Sequence, residues 1–512
     1  MVAKSNRKSS MKIYEVKGMK RLLALLLSMV LVLGFAVGCN NEKDDGGTPG
    51  GTGDGGNQNL PGGNVDVPHN PDLEDLKVWS FTNEIPDAIL RYQEMNPDSQ
   101  VNNFNIIRHV VSDQDGLYEQ AIEPALLAGG DNAPDLFMAE QAFVLKFVSG
   151  SFSGYAMSYS DLGISDVEGK IKAAQLADYA VDAGRRDGEV VGLRFQETGS
   201  CFIYRRSIAK DVWGTDTPAD IGAKVGSGWD NFMAAAADLK AKGYAIIYGP
   251  GDVWQVARDG AAEGWVKDGR LVIDPARLQF FELAKTLNDN EYWLGGGAWS
   301  DGWFAGMSGA SDPAVFGYMG PAWLINYVIA DNCGIEIDEE TDEITDMGTF
   351  GDWAVTGSPV PWAWGGTWLF GHKDLEGDKK AAVAEILEWV TLDTTNDGFQ
   401  YHFANGSLYA GSTRFADEAK KFEDGTFTKD TVASKVVMDK SDGSLDFLGG
   451  QNMFEEFIPA AAGAKSTHWH ELDRSINGEF QDQAVQYYTG AKTLEEALED
   501  FRTWAKDTHG LD

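Results

Sequence analysis

Leu76-Lys77-Val78-Trp79-Ser80-Phe81 runs directly into Thr82-Asn83-Glu84-Ile85-Pro86, and the reading of this junction decides the fold class. Apolar residues alternate with others over the first six positions, the period of a short strand. Pro86 then stands where a helix tolerates a residue without an N–H, near its first turn. Ile85, Ile89 and Tyr92 recur at helical spacing until Asn96-Pro97 stops the run. The pattern repeats outward. A helix is expected from about Gly116 to Leu127, ended by Gly129-Gly130, and Asp135-Leu136-Phe137-Met138 reads as the next strand. Trp229, Phe232, Met233, Ala236 and Leu239 mark one face of a helix closed by Gly243, with Ala245-Ile246-Ile247-Tyr248 following as strand. Val383, Ile386, Leu387 and Val390 point to a helix over 379–390, and Thr493-x-x-Glu496 is a capping box opening a last helix. Strands alternating with helices predict an α/β protein with mostly parallel sheets.

Composition narrows the function classes. The chain has 512 residues, 79 Asp+Glu against 42 Lys+Arg, and a formal net charge of −37. Such acidity excludes a nucleic-acid footprint, which needs a basic face. It equally disfavours docking of the folded surface on an anionic membrane. Three Cys cannot staple a scaffold of this size. The positive charge gathers at the start, in Lys4, Arg7, Lys8, Lys12, Lys17, Lys20 and Arg21, with Met19 as the expected working start. Leu22 to Val37 is nearly unbroken apolar sequence, too short for a span of about 20 residues and suited to a signal peptide. An uncleaved anchor helix is the alternative. Ala36-Val37-Gly38-Cys39 resembles the bacterial lipobox, with Ala36 where Leu is commonest. That resemblance implies cleavage after residue 38 and a lipid on Cys39. Residues 39–75 are Gly-, Asn- and Asp-rich and read as a flexible tether. Its Gly51-Thr52-Gly53-Asp54-Gly55-Gly56 matches G-x-G-x-x-G but lacks the flanking strand and helix of a nucleotide site.

Catalytic and metal motifs are sparse. Gly150-Ser151-Phe152-Ser153-Gly154 has Phe where a hydrolase elbow needs Ser, and no C-x-x-C, H-E-x-x-H or phosphate-binding Gly-Lys loop occurs. His468-Trp469-His470 offers two metal ligands without an evident third. The acidic stretch Asp338 to Asp346 lacks the central Gly of a calcium loop and reads as a hairpin tip. Cys201 and Cys333 either pair or sit as buried thiols. No cofactor or metal is expected. Tryptophan is the conspicuous excess, 16 in all. Trp293, Trp299, Trp303, Trp323, Trp353, Trp362, Trp364 and Trp368 crowd one region, several beside Gly or Pro. Aromatic faces on such loops line pockets, and flat rings stack on the C–H faces of sugars while carboxylates and amides take the hydroxyls.

Several motifs occur in an order that resembles the carbohydrate-type extracellular solute-binding proteins of bacterial ABC importers, family one, the maltose-binding-protein-like group. They begin with Val78-Trp79-Ser80-Phe81 through Met95-Asn96-Pro97. Ala128-Gly129-Gly130-Asp131-Asn132-Ala133-Pro134-Asp135-Leu136 and Asp187-Gly188-Glu189-Val190-Val191-Gly192 with Cys201-Phe202-Ile203-Tyr204 follow. Next come Gly226-Ser227-Gly228-Trp229-Asp230 and the most specific segment, Phe316-Gly317-Tyr318-Met319-Gly320-Pro321-Ala322-Trp323. Trp364-Gly365-Gly366-Thr367 completes the series. Two departures stand out: Arg194 replaces the hinge proline, and inserts lie around 293–307 and 332–349.

The resemblance implies a two-lobed periplasmic-binding-protein-like fold of class II type. Lobe 1 is expected at 76–193 plus 365–425, lobe 2 at 200–360 plus 426–512, and hinges near 191–203 and 361–369. It further implies a monomeric, lipid-anchored protein at the outer face of the cytoplasmic membrane that is not an enzyme. Such a protein captures a carbohydrate and delivers it to the importer's membrane permease subunits. Stacking is assigned to Trp323, carried over from the Gly-Pro-Trp position, then to Trp254, Trp364 and Trp469. Asn83, Glu84, Glu140 and Gln141 are assigned to hydroxyls, with Glu197 and Arg414 behind them, and the backbone of Gly365 and Gly366 to close approach. Two alternatives remain: a surface-anchored enzyme acting on polysaccharide, which needs acids at catalytic spacing, and a sugar-sensing protein serving a membrane receptor, which would share these residues.

Overall fold

The computed structural model describes residues 68–338, 343–423, 428–466 and 469–512. The leader, Cys39, the tether up to residue 67 and His468 lie outside the described residues. No helix among the described residues is long and apolar enough to cross a membrane.

Eight strands form the two principal sheets. They are β1 (Glu74–Ser80), β2 (Phe104–Val110), β3 (Leu136–Glu140), β4 (Leu193–Arg194), β5 (Cys201–Arg205), β6 (Gly317–Gly320), β7 (Trp353–Gly357) and β8 (Thr367–Gly371). The first sheet has the order β2-β1-β3-β8-β4, the second β6-β5-β7. In β1, Leu76, Val78 and Ser80 are buried in the expected alternation. The helices Glu84–Met95 (α1) and Leu117–Ala128 (α2) carry the chain between β1, β2 and β3, so those strands run parallel. α1 begins two residues ahead of Pro86. A proline in the first turn costs no hydrogen bond, because the amides there have no intrahelical acceptor. The capping box at Thr493 forms as expected, with Thr493 N–H donating to Glu496 Oε2 at 2.8 Å and Glu496 N–H to Thr493 Oγ1 at 3.2 Å.

The α/β class and two-lobed architecture are as the sequence implies, but the sheets are mixed rather than mostly parallel. β8 runs antiparallel to β3 and β4, and every pairing in the second sheet is antiparallel. The cause is the way the chain travels. It leaves the first sheet through β4, enters the second as β5, and returns from β7 to β8, so the crossing strands meet their neighbours head to tail. Midway, the two crossing segments pair with each other: Ser200 N–H donates to Trp362 O at 3.0 Å and Trp364 N–H to Thr198 O at 3.1 Å. Ala245–Tyr248 is not a regular strand. It makes only single bridges, Ala245 to Val315 and Ile247 to Trp293, because Gly249 and Pro250 turn the chain into the helix Pro250–Asp259 (α3).

Side-chain alternation across the second sheet separates two hydrophobic clusters. Ile203, Trp353 and Val355 face the cluster shared with the first sheet, whereas Phe202, Tyr204 and Ala354 face a second one built from α3 and the C-terminal helices. Residues 430–439 pack toward the first sheet: Ala433 N–H donates to Phe195 O at 2.7 Å and Ser434 Oγ to Ala174 O at 2.9 Å. Cys201 and Cys333 are separate buried thiols. The strands Glu336–Asp338 and Glu343–Asp346 pair antiparallel, giving the expected hairpin, whose tip lies outside the described residues.

Candidate binding site between the two sheets

The carboxyl ends of β1 and β3 open toward the crossing segments, the position where ligands settle in open α/β sheets. Glu84 follows β1. Glu140 ends β3, where its register partner is Thr367, immediately after Gly365-Gly366. Opposite them, Gly320-Pro321 ends β6 and starts a short helical stretch, Ala322–Leu324 continuing as a π turn over Ile325–Ile329. Trp323 and Tyr327 lie one turn apart on it and so share a face.

The two sides touch through named groups. Tyr327 Oη donates to Glu84 Oε1 at 3.2 Å. Gln141 is buried, accepts from Gly365 N–H at 2.6 Å, and donates through Nε2 to Asp259 Oδ1 at 3.3 Å. Asp259 in turn pairs with Arg258 at 2.5 Å. Trp323 Nε1–H donates to Trp364 O at 3.2 Å, and the two indoles meet edge to face with centroids 4.8 Å apart. Gly365 has φ +80°, and a β-carbon there would stand 3.2 Å from Trp323 Nε1 and 3.5 Å from Glu140 Oε1. Its lack of a side chain is what lets indole and carboxylate converge.

Partly buried Glu84 and Glu140 and buried Asp430 give the site its electrostatics. Burial pushes Glu84 up to about 8, with the Asp430 charge adding and the Tyr327 hydroxyl opposing. Asp430 is raised to about 7 by burial against the Thr431 hydrogen bonds. Burial likewise raises Glu140 to about 7, partly offset by the Ala142 amide. Protonated carboxyls of this kind donate as well as accept hydrogen bonds, which suits a neutral polyhydroxylated ligand.

Of the residues assigned from sequence, Trp323, Trp364, Gly365, Gly366, Glu84, Glu140 and Gln141 are brought together here. Asn83 is partly buried beside them at the start of α1. The others are placed elsewhere. Trp254 is 2% exposed, with its ring against Phe280 and Phe480 at 5.0 and 5.5 Å. It belongs to the second cluster because α3 turns that face inward. Trp469 sits edge-on against Trp368 at 6.0 Å, within the first cluster. Glu197 is buried, and its Oε1 accepts from the Tyr179 hydroxyl, from Gly199 N–H at 2.8 Å and from Arg194 at 3.4 Å. Its carboxylate is therefore committed to the crossing segment. Arg194, the residue in place of the hinge proline, also donates to Thr198 Oγ1 and Gly365 O, and its guanidinium lies over the Tyr179 ring at 4.3 Å. Arg414 is exposed and donates to Leu90 O at 2.9 Å, fastening its loop to α1. Sequence reasoning missed Tyr327 and Trp299. The four-residue spacing from Trp323 marks Tyr327, and the Gly-rich insert marks Trp299.

No protein-family profile and no curated protein matches the chain. Solved structures do. One described as an extracellular solute-binding protein family 1 superposes with a TM-score of 0.64 at 18% identity, covering 85% of this chain and 99% of its own. An ABC-transporter-associated binding protein from B. animalis subsp. lactis, in complex with beta-1,6-galactobiose, gives 0.56 at 18% identity and covers 85% and 97%. The galacto-N-biose/lacto-N-biose I-binding protein of an ABC transporter from Bifidobacterium longum, bound to lacto-N-biose, gives 0.56 at 15% identity, with 86% and 98% covered. The fold is thus that of the two-lobed extracellular solute-binding proteins, over nearly the whole length of those chains. The solved relatives named here are binding proteins rather than enzymes.

Proposed function

We propose that this protein is an extracellular, lipid-anchored solute-binding protein. It captures a carbohydrate between two lobes and presents it to the membrane subunits of an ABC importer, making and breaking no bond. The observation that carries this reading is the convergence of an indole face and carboxyls across the cleft. Trp323 meets Glu140 over the bare backbone of Gly365, and Tyr327, one turn further along the same stretch, reaches Glu84 on the other side. A sugar needs both elements at once, an apolar face and hydrogen-bonding groups at its rim. Relatives of the same fold bound to lacto-N-biose and galactobiose support the ligand class.

The lobes are 76–193 with 365–425, and 200–360 with the C-terminal segment to 512. The C-terminal segment is taken from 426, with 430–439 grouped to the first lobe on the hydrogen bonds of Ala433 to Phe195 and Ser434 to Ala174. The paired crossing segments near 191–203 and 361–369 serve as the hinge. A ligand touching both sides favours the closed arrangement by its differential contacts. The chain acts as a monomer at the outer face of the membrane, held by lipid on Cys39. A thermal-shift screen against mono- and oligosaccharides, with product analysis of each hit, tests the function. Stabilisation without turnover is expected. Release of product, or stabilisation by no saccharide, overturns it.

A further inference from the structure

The 293–307 insert brings a third tryptophan to the site. Trp299 is 50% exposed, the most exposed of the tryptophans, and its ring lies within 11° of parallel to Trp323 with centroids 6.5 Å apart. Trp364 stands across the end of this pair, at 73° and 6.2 Å from Trp299 and at 65° and 4.8 Å from Trp323. Two nearly parallel rings and a third steeply inclined to both form an aromatic cluster with three sides. Its end wall leads straight to Gly365 and Glu140.

The loop that carries Trp299 is built to hold it. Leu294 and Gly295 N–H both donate to Tyr248 O, at 3.0 and 3.1 Å. Gly296 and Gly302 clasp the Tyr248 ring, which a β-carbon on either would overlap, and Gly251 does the same for Ala298 at 3.0 Å. Ser300 caps the helix Asp301–Ser308, accepting from Trp303 N–H at 3.3 Å while donating to Gly297 O at 2.7 Å. Between these anchors Trp299 has φ +66°, a left-handed backbone that is rare and costly for a bulky aromatic residue. The ring is supported from behind by Trp303 at 5.2 Å. A large apolar side chain held in a strained backbone, half in solvent and parallel to a second indole, is placed to meet a ligand rather than to complete a core.

Resting on the carbohydrate reading above, we infer that Trp299 and Trp323 sandwich one pyranose ring whose substituents are all equatorial, a gluco-configured residue. The argument is steric. An equatorially substituted chair presents only axial C–H bonds on both faces, so each indole meets apolar surface. An axial hydroxyl, as in galacto or manno configuration, drives a polar group into one wall and leaves it without a partner. Carbon–carbon contact of about 3.5–4.0 Å on each side needs walls about 7–8 Å apart. The two centroids stand 6.5 Å apart, so the rings must part by about 1 Å, and the half-exposed Trp299 ring has room to shift outward while its backbone stays anchored. The insert is thereby a specificity element, and the equatorial hydroxyls leave between the two rings at their open edges.

Titration calorimetry with cellobiose, mannobiose and beta-1,6-galactobiose tests this in the wild-type chain and in Trp299→Ala and Trp299→Phe. Wild type is expected to favour cellobiose at least tenfold over the other two. Trp299→Ala is expected to lose at least tenfold in cellobiose affinity and to level the preference, at unchanged melting temperature. Trp299→Phe keeps a flat face and is expected to retain most of the affinity. If saccharides bind but Trp299→Ala alters neither affinity nor preference, the sandwich is wrong and the carbohydrate reading stands. Preference for the galacto or manno disaccharide also overturns the sandwich alone. Binding of choline with no binding of any saccharide, the cluster acting as a cage for a quaternary ammonium, overturns both.

Discussion

Trp254 and Trp323 both lie in the chain between β5 and β7 but are set differently, one in the second hydrophobic cluster and one against the first. Trp254 lies on the regular helix α3, whose inward face seals the ring against Phe280 and Phe480. Trp323 follows Gly320-Pro321, where a strand ends and the backbone turns, and its ring stays partly open beside Trp364 and Gly365. The difference teaches that the local setting of an aromatic residue decides whether its ring is sealed or left partly open. An indole on an amphipathic stripe completes a core, whereas one at a strand-to-helix break is held at a rim.

The strongest way to break this contrast is to remove both rings in turn. Trp254→Ala is expected to destabilise the chain by about 3–5 kcal/mol, the cost of an aromatic-sized cavity, as measured by denaturant unfolding. Saccharide affinity of the molecules that remain folded should not change. Trp323→Ala is expected to do the reverse, losing at least tenfold in affinity, about 1.4 kcal/mol, with little change in unfolding midpoint. If the two variants behave alike, the division between core and rim fails.

A finer probe is Gly365→Ala, which puts a β-carbon at positive φ and 3.2 Å from the Trp323 ring nitrogen. Backbone strain should cost about 1–3 kcal/mol in stability, and calorimetry should show weaker binding as the indole is displaced. A last probe concerns pH. Glu84 at about 8 and Asp430 at about 7 lie above their ordinary values of 4.5 and 3.8. The folded chain therefore holds protons that the unfolded chain has released. Their stabilisation is complete below pH 4 and is lost as pH rises through 7 and 8. The melting temperature should fall between pH 5 and 8, and Glu84→Gln should flatten that fall. A melting temperature that rises over this window in wild type would contradict the burial of these carboxyls against Tyr327.

Legibility in the sequence follows the range of the forces involved. The strand and helix around Phe81, the stop at Asn96-Pro97 and the capping box at Thr493 depend on residues within a few positions of one another. All could be read directly. The antiparallel approach of β8 and the reduction of Ala245–Tyr248 to single bridges could not, since both follow from where distant chain segments arrive. Among candidate site residues, those placed just after β1 and β3 or at the Gly-Pro and Gly-Gly breaks do meet in the cleft. Trp254, Glu197 and Arg414 do not. Nothing local to Glu197 announces that Arg194, Tyr179 and Gly199 will consume its carboxylate.

The sequence by itself determined the α/β class, the acidic character that rules out nucleic acid, and the breaks at which a binding loop can form. Each is a sum over composition or over neighbours in the chain. Only the tertiary structure decided which tryptophans and acids share a cleft. Tyr327 meets Glu84 across 243 residues and Gly365 meets Gln141 across 224. It also set Trp299 parallel to Trp323, because ring orientation is fixed by packing of the whole insert against Tyr248 and not by the residues adjoining it.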